Sequence, residues 1–195
     1  MTTNPTDPNK VLLTGENSFI RLSKEEGRSL MTRVSHWRIL FSPGGPGHVL
    51  FMKSDMVNDE VRIYSDNIAM TRWLQATIMA TGALVEFAGL DLPVIQAEFD
   101  KTGDTNSFWT ESVESAEEMI ALTWYGFFEP IMWVRPGGST PGRNLGVYSC
   151  FIPARRAQMT INGKLAQGNV YLEPRAGKAS STACLAWSET WVRPN

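Results

Sequence analysis

The chain has 195 residues, of which 43% are hydrophobic, 10% aromatic and 19% charged, and its formal net charge is −2. This length suits one domain with a full hydrophobic core, and the seven tryptophans exclude a disordered chain, which is poor in aromatic residues. The slightly acidic balance argues against nucleic acid as a partner, because contacts to phosphate backbones require an excess of Lys and Arg.

The first residues are polar and contain Pro5 and Pro8, which predicts a flexible tail over residues 1–17. This segment has no apolar stretch of the kind that a signal peptide requires. No part of the chain reaches the about 18 consecutive apolar residues of a membrane span. We therefore expect a cytoplasmic protein with no membrane span.

Two short helices are predicted near the N-terminus. Ser23 and Glu26 have the spacing of a capping box, in which each side chain satisfies a free amide at the start of a helix, so we predict a helix from Ser23 to about Arg33. The second helix is predicted by apolar residues at helical spacing, which are Met70, Trp73, Leu74, Thr77 and Ile78.

From Val34 onward most of the chain alternates with the period of a β-strand, in about ten short segments separated by turn residues. Asn162-Gly163 predicts a two-residue hairpin, since both positions of such a turn need positive φ angles. The pattern predicts a mainly β protein whose antiparallel sheet forms a barrel or a sandwich, with residues 18–195 in a single barrel domain as the favoured reading.

Two strands have unusual faces. The segment after Glu118 is apolar on both sides, with Ile120, Leu122 and Trp124 opposite Met119 and Tyr125, so we expect it to be covered on both sides. In the last strand Leu185, Trp187, Glu189 and Trp191 fall on one face. Desolvation between two tryptophans would raise the pKa of Glu189, although contact with solvent or an Arg is the commoner arrangement.

Candidate catalytic residues are His36, Asp55, Glu98 and Glu129, because acid–base chemistry needs a proton donor and a base held among apolar strands. Arg38 lies two residues from His36 on the same strand face and could hold a polar group of a substrate. The acidic run from Glu111 to Glu118 is interpreted as a solvated hairpin. Gly-rich nucleotide motifs and metal-ligand spacings are lacking, so we expect no cofactor and no metal site.

From Val34 to Pro194 the succession of short strands, hairpin turns and Trp-rich segments resembles the lipocalin-like β-barrels, in particular the carotenoid-hydratase and terpenoid-processing type. Ser35-His36-Trp37-Arg38 stands where typical lipocalins carry Gly-x-Trp. The resemblance implies an apolar cavity, and its candidate walls are Trp109, Trp124, Tyr125, Phe128 and Trp187.

The resemblance also implies cofactor-independent chemistry on a small hydrophobic substrate. The leading hypothesis is a lyase or isomerase of the hydratase, epoxide or ring-opening type, acting on a terpenoid-like molecule in an aromatic barrel cavity. The alternative is a carrier that binds an apolar ligand and does no chemistry. A third reading is an interaction module whose aromatic faces are buried in a homodimer.

Overall fold

The computed structural model describes residues 8–81, 84–138 and 144–194. Eleven strands run through these residues: β1 (Val11–Glu25), β2 (Arg28–Phe41), β3 (Gly47–Ser54), β4 (Val61–Ser65), β5 (Val94–Gly103), β6 (Phe108–Ser115), β7 (Met119–Phe127), β8 (Ile131–Arg135), β9 (Gly146–Ile161), β10 (Lys164–Leu165) and β11 (Ala183–Val192).

Nine of the strands close into a barrel in the order β1-β2-β3-β4-β5-β6-β7-β9-β11, and β11 pairs with β1 to complete the circle. β8 continues from β7 along the first half of β9, and β10 forms a short hairpin with β9. The predicted barrel is confirmed, and its architecture is consistent with a lipocalin-like fold. The purely antiparallel sheet is wrong, because β4 and β5 are parallel.

A helix makes this parallel pairing possible, since neighbouring parallel strands need a crossover connection. Helix α1 (Ile68–Leu74) follows β4 and continues as a π-helical turn over Gln75–Met79, which confirms the second predicted helix. The side chain of Asn67 caps it by accepting a hydrogen bond from the Met70 amide at 3.1 Å. Within the described ranges no helix has the length and apolar character needed to cross a bilayer.

The helix packs on the outside of the barrel. Its buried residues meet the outward faces of β2, β3 and β4 in one apolar cluster, formed among others by Met70, Leu74, Ile78, Trp37, Phe51 and Ile63. A separate cluster fills the inside of the barrel, and it includes Ile20, Val34, Leu50, Val113, Leu122, Trp124 and Leu185. The sheet between the helix and the interior is therefore buried on both faces.

The tail predicted up to residue 17 and the helix predicted from Ser23 are wrong where the structure describes these residues. β1 already begins at Val11 where a tail was expected, and the predicted helix from Ser23 is the hairpin between β1 and β2, which turns at Glu26 and Gly27 with Gly27 at φ +67°. The capping box is a local signal, whereas β1 gains hydrogen-bonded neighbours on both sides and buries Leu22 in the barrel. Residues 1–7 lie outside the described part of the chain.

The strand that was expected to be covered on both sides is covered only on one. β7 directs Ile120, Leu122 and Trp124 into the barrel. Its outer face is partly open to solvent, and Met119 is 43% exposed. The apolar residues on that outer face are therefore not covered by a second packed layer.

Two local backbone features decide which way side chains point. The predicted hairpin is confirmed, with Asn162 at φ +50° and Gly163 at φ +76°. A bulge lies between Trp187 and Thr190, where Ser188 takes φ +55°. A bulge adds one residue and reverses the alternation. Trp187 therefore packs against the inner cluster and Trp191 against the outer one, which corrects the prediction that they share a face.

Candidate active site

Polar and aromatic side chains meet inside one end of the barrel, which we call the mouth. They project from β2, β3, β5, β6 and β11, because alternate residues of these strands face inward. Farther along the same strands the inward positions are apolar, as at Val34, Leu50 and Val113. The mouth is formed by His36, Arg38, His48, Phe99, Lys101, Trp109, Glu111 and Trp187.

Glu111 is the acid at the mouth. Only 5% of it is exposed, and its Oε1 accepts a hydrogen bond of 2.7 Å from Nε1 of Trp109. Burial raises the pKa of Glu111 to about 7, and the bond from Trp109 opposes that rise without cancelling it. A carboxyl group with such a pKa exchanges its proton near neutral pH, as a general acid must.

His36 lies beside this acid and is itself 3% exposed. Burial, together with the smaller electrostatic effects of His48 and Lys101, lowers the pKa of His36 to about 3. Its Nδ1 is 3.9 Å from Oε2 of Glu111, which is too far for a hydrogen bond. Because the imidazole is neutral near pH 7, the two groups do not form a salt bridge. Their pKa values shift in opposite directions, which makes Glu111 the acid and His36 the neutral partner.

Two buried nitrogens at the mouth have no hydrogen-bond partner in the described part of the chain. They are Nε2 of His36 and Nε1 of Trp187. The indole of Trp187 meets that of Trp109 edge to face, with ring centres 5.1 Å apart. A buried polar group left without a partner costs about 1–3 kcal/mol. Both nitrogens are therefore suited to a polar atom of a bound molecule.

The ring of Phe99 separates His36 from the outside of the barrel. The ring of Phe99 stacks on His36 with centres 5.6 Å apart and on His48 with centres 5.2 Å apart. Asp66 fixes His48, because its two carboxylate oxygens lie 2.6 Å from the backbone nitrogen of His48 and 2.7 Å from Nδ1 of its ring. Phe99 thus covers His36 while His48 is held beside it.

A charged rim surrounds the aromatic residues. Glu16 accepts a hydrogen bond from Arg38 at 2.9 Å and lies 3.9 Å from the ammonium of Lys101, which in turn lies 5.4 Å from the centre of the Trp109 ring. An open cleft of about 730 Å³ adjoins this rim and is lined by Arg38 and His48, among others. The mouth therefore combines a polar entrance with an aromatic interior.

The four predicted catalytic residues do not come together. His36 lies at the mouth, whereas Asp55 is exposed in the short turn after β3, at the other end of the barrel. Glu98 is exposed on β5, between Ala97 and Phe99, which face inward. Glu129 is exposed between β7 and β8. The three carboxylates are thus solvated rather than held in an apolar interior.

The predicted substrate-binding residues divide into three groups. Arg38, Trp109 and Trp187 lie at the mouth, as described above. Trp124 is fully buried in the core, where its Nε1 donates to the carbonyl of Phe19 at 3.2 Å. Tyr125 and Phe128 lie under arginine side chains, with Arg156 5.9 Å and Arg155 4.1 Å from the respective ring centres. The mouth therefore gathers three of the six.

Glu111 was missed because the acidic run that contains it was interpreted as solvated. The first member of that run is buried, while Glu114 and Glu117 are exposed. A signal is present in the sequence: Trp109-Thr110-Glu111 places an acid two residues from a tryptophan on a strand, as Glu189 and Trp191 do. A tryptophan two positions from an acid on a strand indicates a buried acid better than the local charge does, since both Glu111 and Glu189 are buried.

Within residues 8–81, 84–138 and 144–194, no three His, Cys, Asp or Glu side chains are grouped so that they could hold a metal ion. No protein-family model matches the chain, and no curated protein or solved structure matches it either. The function is therefore inferred from the geometry of the mouth.

Proposed function

We propose that this protein is a lyase or isomerase that transfers protons to and from a small hydrophobic, terpenoid-like molecule at the mouth of the barrel, with Glu111 as the general acid. The observation that carries the proposal is the buried pair of Glu111, with a pKa of about 7, and neutral His36, with a pKa of about 3. Paired titratable groups whose environments push their pKa values apart are typical of acid–base sites.

The proposed reaction begins when Glu111 donates its proton to a hydroxyl or epoxide oxygen of the substrate. The carbon–oxygen bond then breaks, and the electron pair leaves with the oxygen. Positive charge develops on carbon, and the indole faces of Trp109 and Trp187 stabilise it. Tryptophan is the best of the aromatic side chains for this purpose.

The proton balance is completed by His36. Its unpartnered Nε2 takes a proton from the carbon next to the cationic centre, and the carbon–hydrogen electron pair forms the new double bond. Nδ1 of the resulting imidazolium then returns a proton to Glu111 across the 3.9 Å gap, directly after a small movement or through one water. The imidazole then returns to the tautomer with its proton on Nδ1 by proton exchange with water, so the enzyme regains its starting state and an alcohol substrate has lost water.

The side chains that line the mouth support a small hydrophobic substrate with one oxygen function. Aromatic rings form most of the interior of the mouth, while charges lie at its rim. A molecule with an apolar body and one oxygen function fits this arrangement, because the oxygen meets the polar pair while the body contacts the rings. Entry requires Phe99 to move, since its ring stacks on His36.

The test uses purified wild-type protein and the variant Glu111→Gln with a panel of monoterpene alcohols and epoxides. Products are measured by gas chromatography, and binding is measured by quenching of tryptophan fluorescence. We expect turnover of at least one panel member, a loss of about 10²–10³-fold in Glu111→Gln, and a wild-type rate that falls as pH rises through about 7.

Glu114→Gln is the matched control, since Glu114 lies on the same strand but is exposed, and it should keep wild-type turnover. Quenching with unchanged ligand would contradict catalysis and favour the carrier. Turnover that survives Glu111→Gln would remove the role of Glu111.

A further inference from the structure

A second pocket lies on the outside of the barrel, away from the mouth. It has a volume of about 260 Å³ and is lined by outward-facing residues of β1 and β2, by Leu84 and by the segment before β11. We call it the outer pocket. Its side-chain lining includes Asn17, Phe19, Arg21, Arg33, Ser35, Arg175 and the carboxylate of Glu173.

Like charges face each other in the outer pocket. Arg21 on β1 is directly opposite Arg33 on β2, in register. Directly opposed like charges on neighbouring strands destabilise a sheet, so such a pair indicates a need for an anion nearby. Glu173 supplies one to Arg21, and Glu86 accepts a hydrogen bond from Arg33 at 2.8 Å.

The third arginine comes from a hairpin over residues 169–182, which we call the tongue. The tongue turns at Ala176 and Gly177, both at positive φ, and Tyr171 fixes it to β1 by donating to the carbonyl of Lys24 at 3.0 Å. Arg175 donates to Glu173 at 2.6 Å, while its Nε is buried without a partner in the described residues. The guanidinium therefore keeps an unused donor.

A buried hydrogen-bond network holds the floor of the pocket. Trp37 donates to Ser35 and Ser35 donates to the amide oxygen of Asn17, each at 2.9 Å. The amide nitrogen of Asn17 donates to Glu189 at 3.4 Å, and Nε1 of Trp191 donates to the same carboxylate oxygen at 2.7 Å. The two polar side chains at the floor are thus fixed from behind, so the pocket is organised before any ligand arrives.

The local charge is opposite in sign to that of the whole chain. Arg21, Arg33, Arg175 and the nearby Lys53 give four positive charges, Glu173, Glu86 and the Glu189 behind the floor give three negative ones, and the balance is +1 in a protein of net charge −2. The pocket also has an apolar part. The ring of Phe19 lies beneath two guanidinium groups, 5.8 Å from that of Arg21 and 5.4 Å from that of Arg175.

We propose that the outer pocket binds a small organic carboxylate, whose oxygens are held by Arg21 and Arg175 and whose short apolar body packs on Phe19 and Leu84. Arginine suits this ligand because its planar fork matches the two oxygens of a carboxylate. Both arginines already bind a carboxylate here, because one oxygen of Glu173 contacts each of them. The volume admits a ligand smaller than a typical drug.

Benzoate is the probe, and isothermal titration calorimetry of the full chain at low ionic strength is the measurement. We expect saturable binding with a Kd of about 1 mM, and no saturation with benzyl alcohol, which has the ring without the charge. Arg175→Ala should weaken benzoate about tenfold or more, as expected for a charge-assisted hydrogen bond. Arg175→Lys should recover only part of the loss, since it keeps the charge without the fork.

Arg155→Ala is the matched control, because Arg155 is exposed and packs over Phe128, away from the pocket. It should bind benzoate as the wild type does. Three results would overturn the proposal: no saturable binding of benzoate, an equal loss in Arg155→Ala, or inorganic phosphate binding as tightly as benzoate. Because the titration requires no turnover, its result does not depend on the function proposed for the mouth.

Discussion

Two buried glutamates occupy opposite sides of the same barrel wall. Glu111 faces inward and Glu189 contacts the outward-facing residues, yet each accepts a hydrogen bond of 2.7 Å from the indole of a tryptophan two residues away. They differ in what else surrounds them. Glu189 also accepts from Asn17, in a network that ends at Trp37, whereas Glu111 has a neutral imidazole 3.9 Å away.

This difference teaches that burial alone does not assign a role to a carboxyl group. A buried carboxylate that is surrounded by donors orders its neighbours and acts as part of the scaffold. One that lacks such donors keeps its proton to a higher pH and is available for chemistry. Under the proposed function, the two sites separate a structural glutamate from a reactive one within a single fold.

The largest expected effect is on stability. Glu189→Ala should lower the free energy of unfolding by about 3 kcal/mol at about pH 8, because it leaves the donors of Trp191 and Asn17 buried without their acceptor. Glu111→Ala should cost less at the same pH, because above its pKa of about 7 the wild type holds an ionised Glu111 that burial disfavours, and the variant relieves that cost. Urea denaturation measures both, and equal losses would erase the distinction between the two glutamates.

A second prediction concerns Glu111→Gln and pH. The folded pKa of about 7 lies above the ordinary value of 4.5, so the contribution of Glu111 to stability is complete below about pH 4.5 and is lost as pH rises through about 7. The variant should therefore be more stable than the wild type by about 2 kcal/mol at about pH 8 and equal to it at about pH 4.5. A difference that does not change with pH would contradict the raised pKa.

His36 should show the opposite dependence. Its folded pKa of about 3 lies below the ordinary 6.5, so its contribution to stability is present above about pH 6.5 and is lost as pH falls towards 3. Glu111 offsets this slope between about pH 4.5 and 6.5 in the wild type. Glu111→Gln should reveal a slope of about 1 kcal/mol per pH unit, measured by denaturation at several pH values. Adding His36→Gln should abolish it, and an unchanged slope would show that it has another source.

The smallest expected effect comes from Trp109→Phe. The indole bond lowers the pKa of Glu111, so its loss should raise that pKa further, by an amount worth less than about 1 kcal/mol. Infrared spectroscopy of the protonated carboxyl band as a function of pH measures the shift. An unchanged pKa would mean that burial alone sets the acidity of Glu111.

Much of the barrel could be predicted from the sequence because its signals are local. Alternation, the Asn162-Gly163 turn and the helical spacing around Met70 each depend on neighbouring residues. The predictions that were wrong depend on distant ones. Ser23 has the local signature of a helix cap, yet it lies in a strand whose partners come from both ends of the barrel.

The site required similar long-range information. His36 could be selected from its position in an apolar strand, but the burial of Glu111 depends on the strands on the other side of the barrel. The sequence does not predict the bulge at Ser188, because serine rarely adopts positive φ and no neighbouring residue indicates a bulge. A single such residue changes which side of the wall Glu189 occupies.

The seam between β1 and β11 has a consequence for how the protein is made. The first and last strands of the barrel are neighbours, so the wall cannot close until residue 192 has left the ribosome. Until then β1 and β9 each present an unpaired edge, and exposed edges invite pairing with other chains. Contacts so distant in sequence also form slowly. Nascent chains that lack the last strand should therefore be the aggregation-prone form and the species that chaperones recognise.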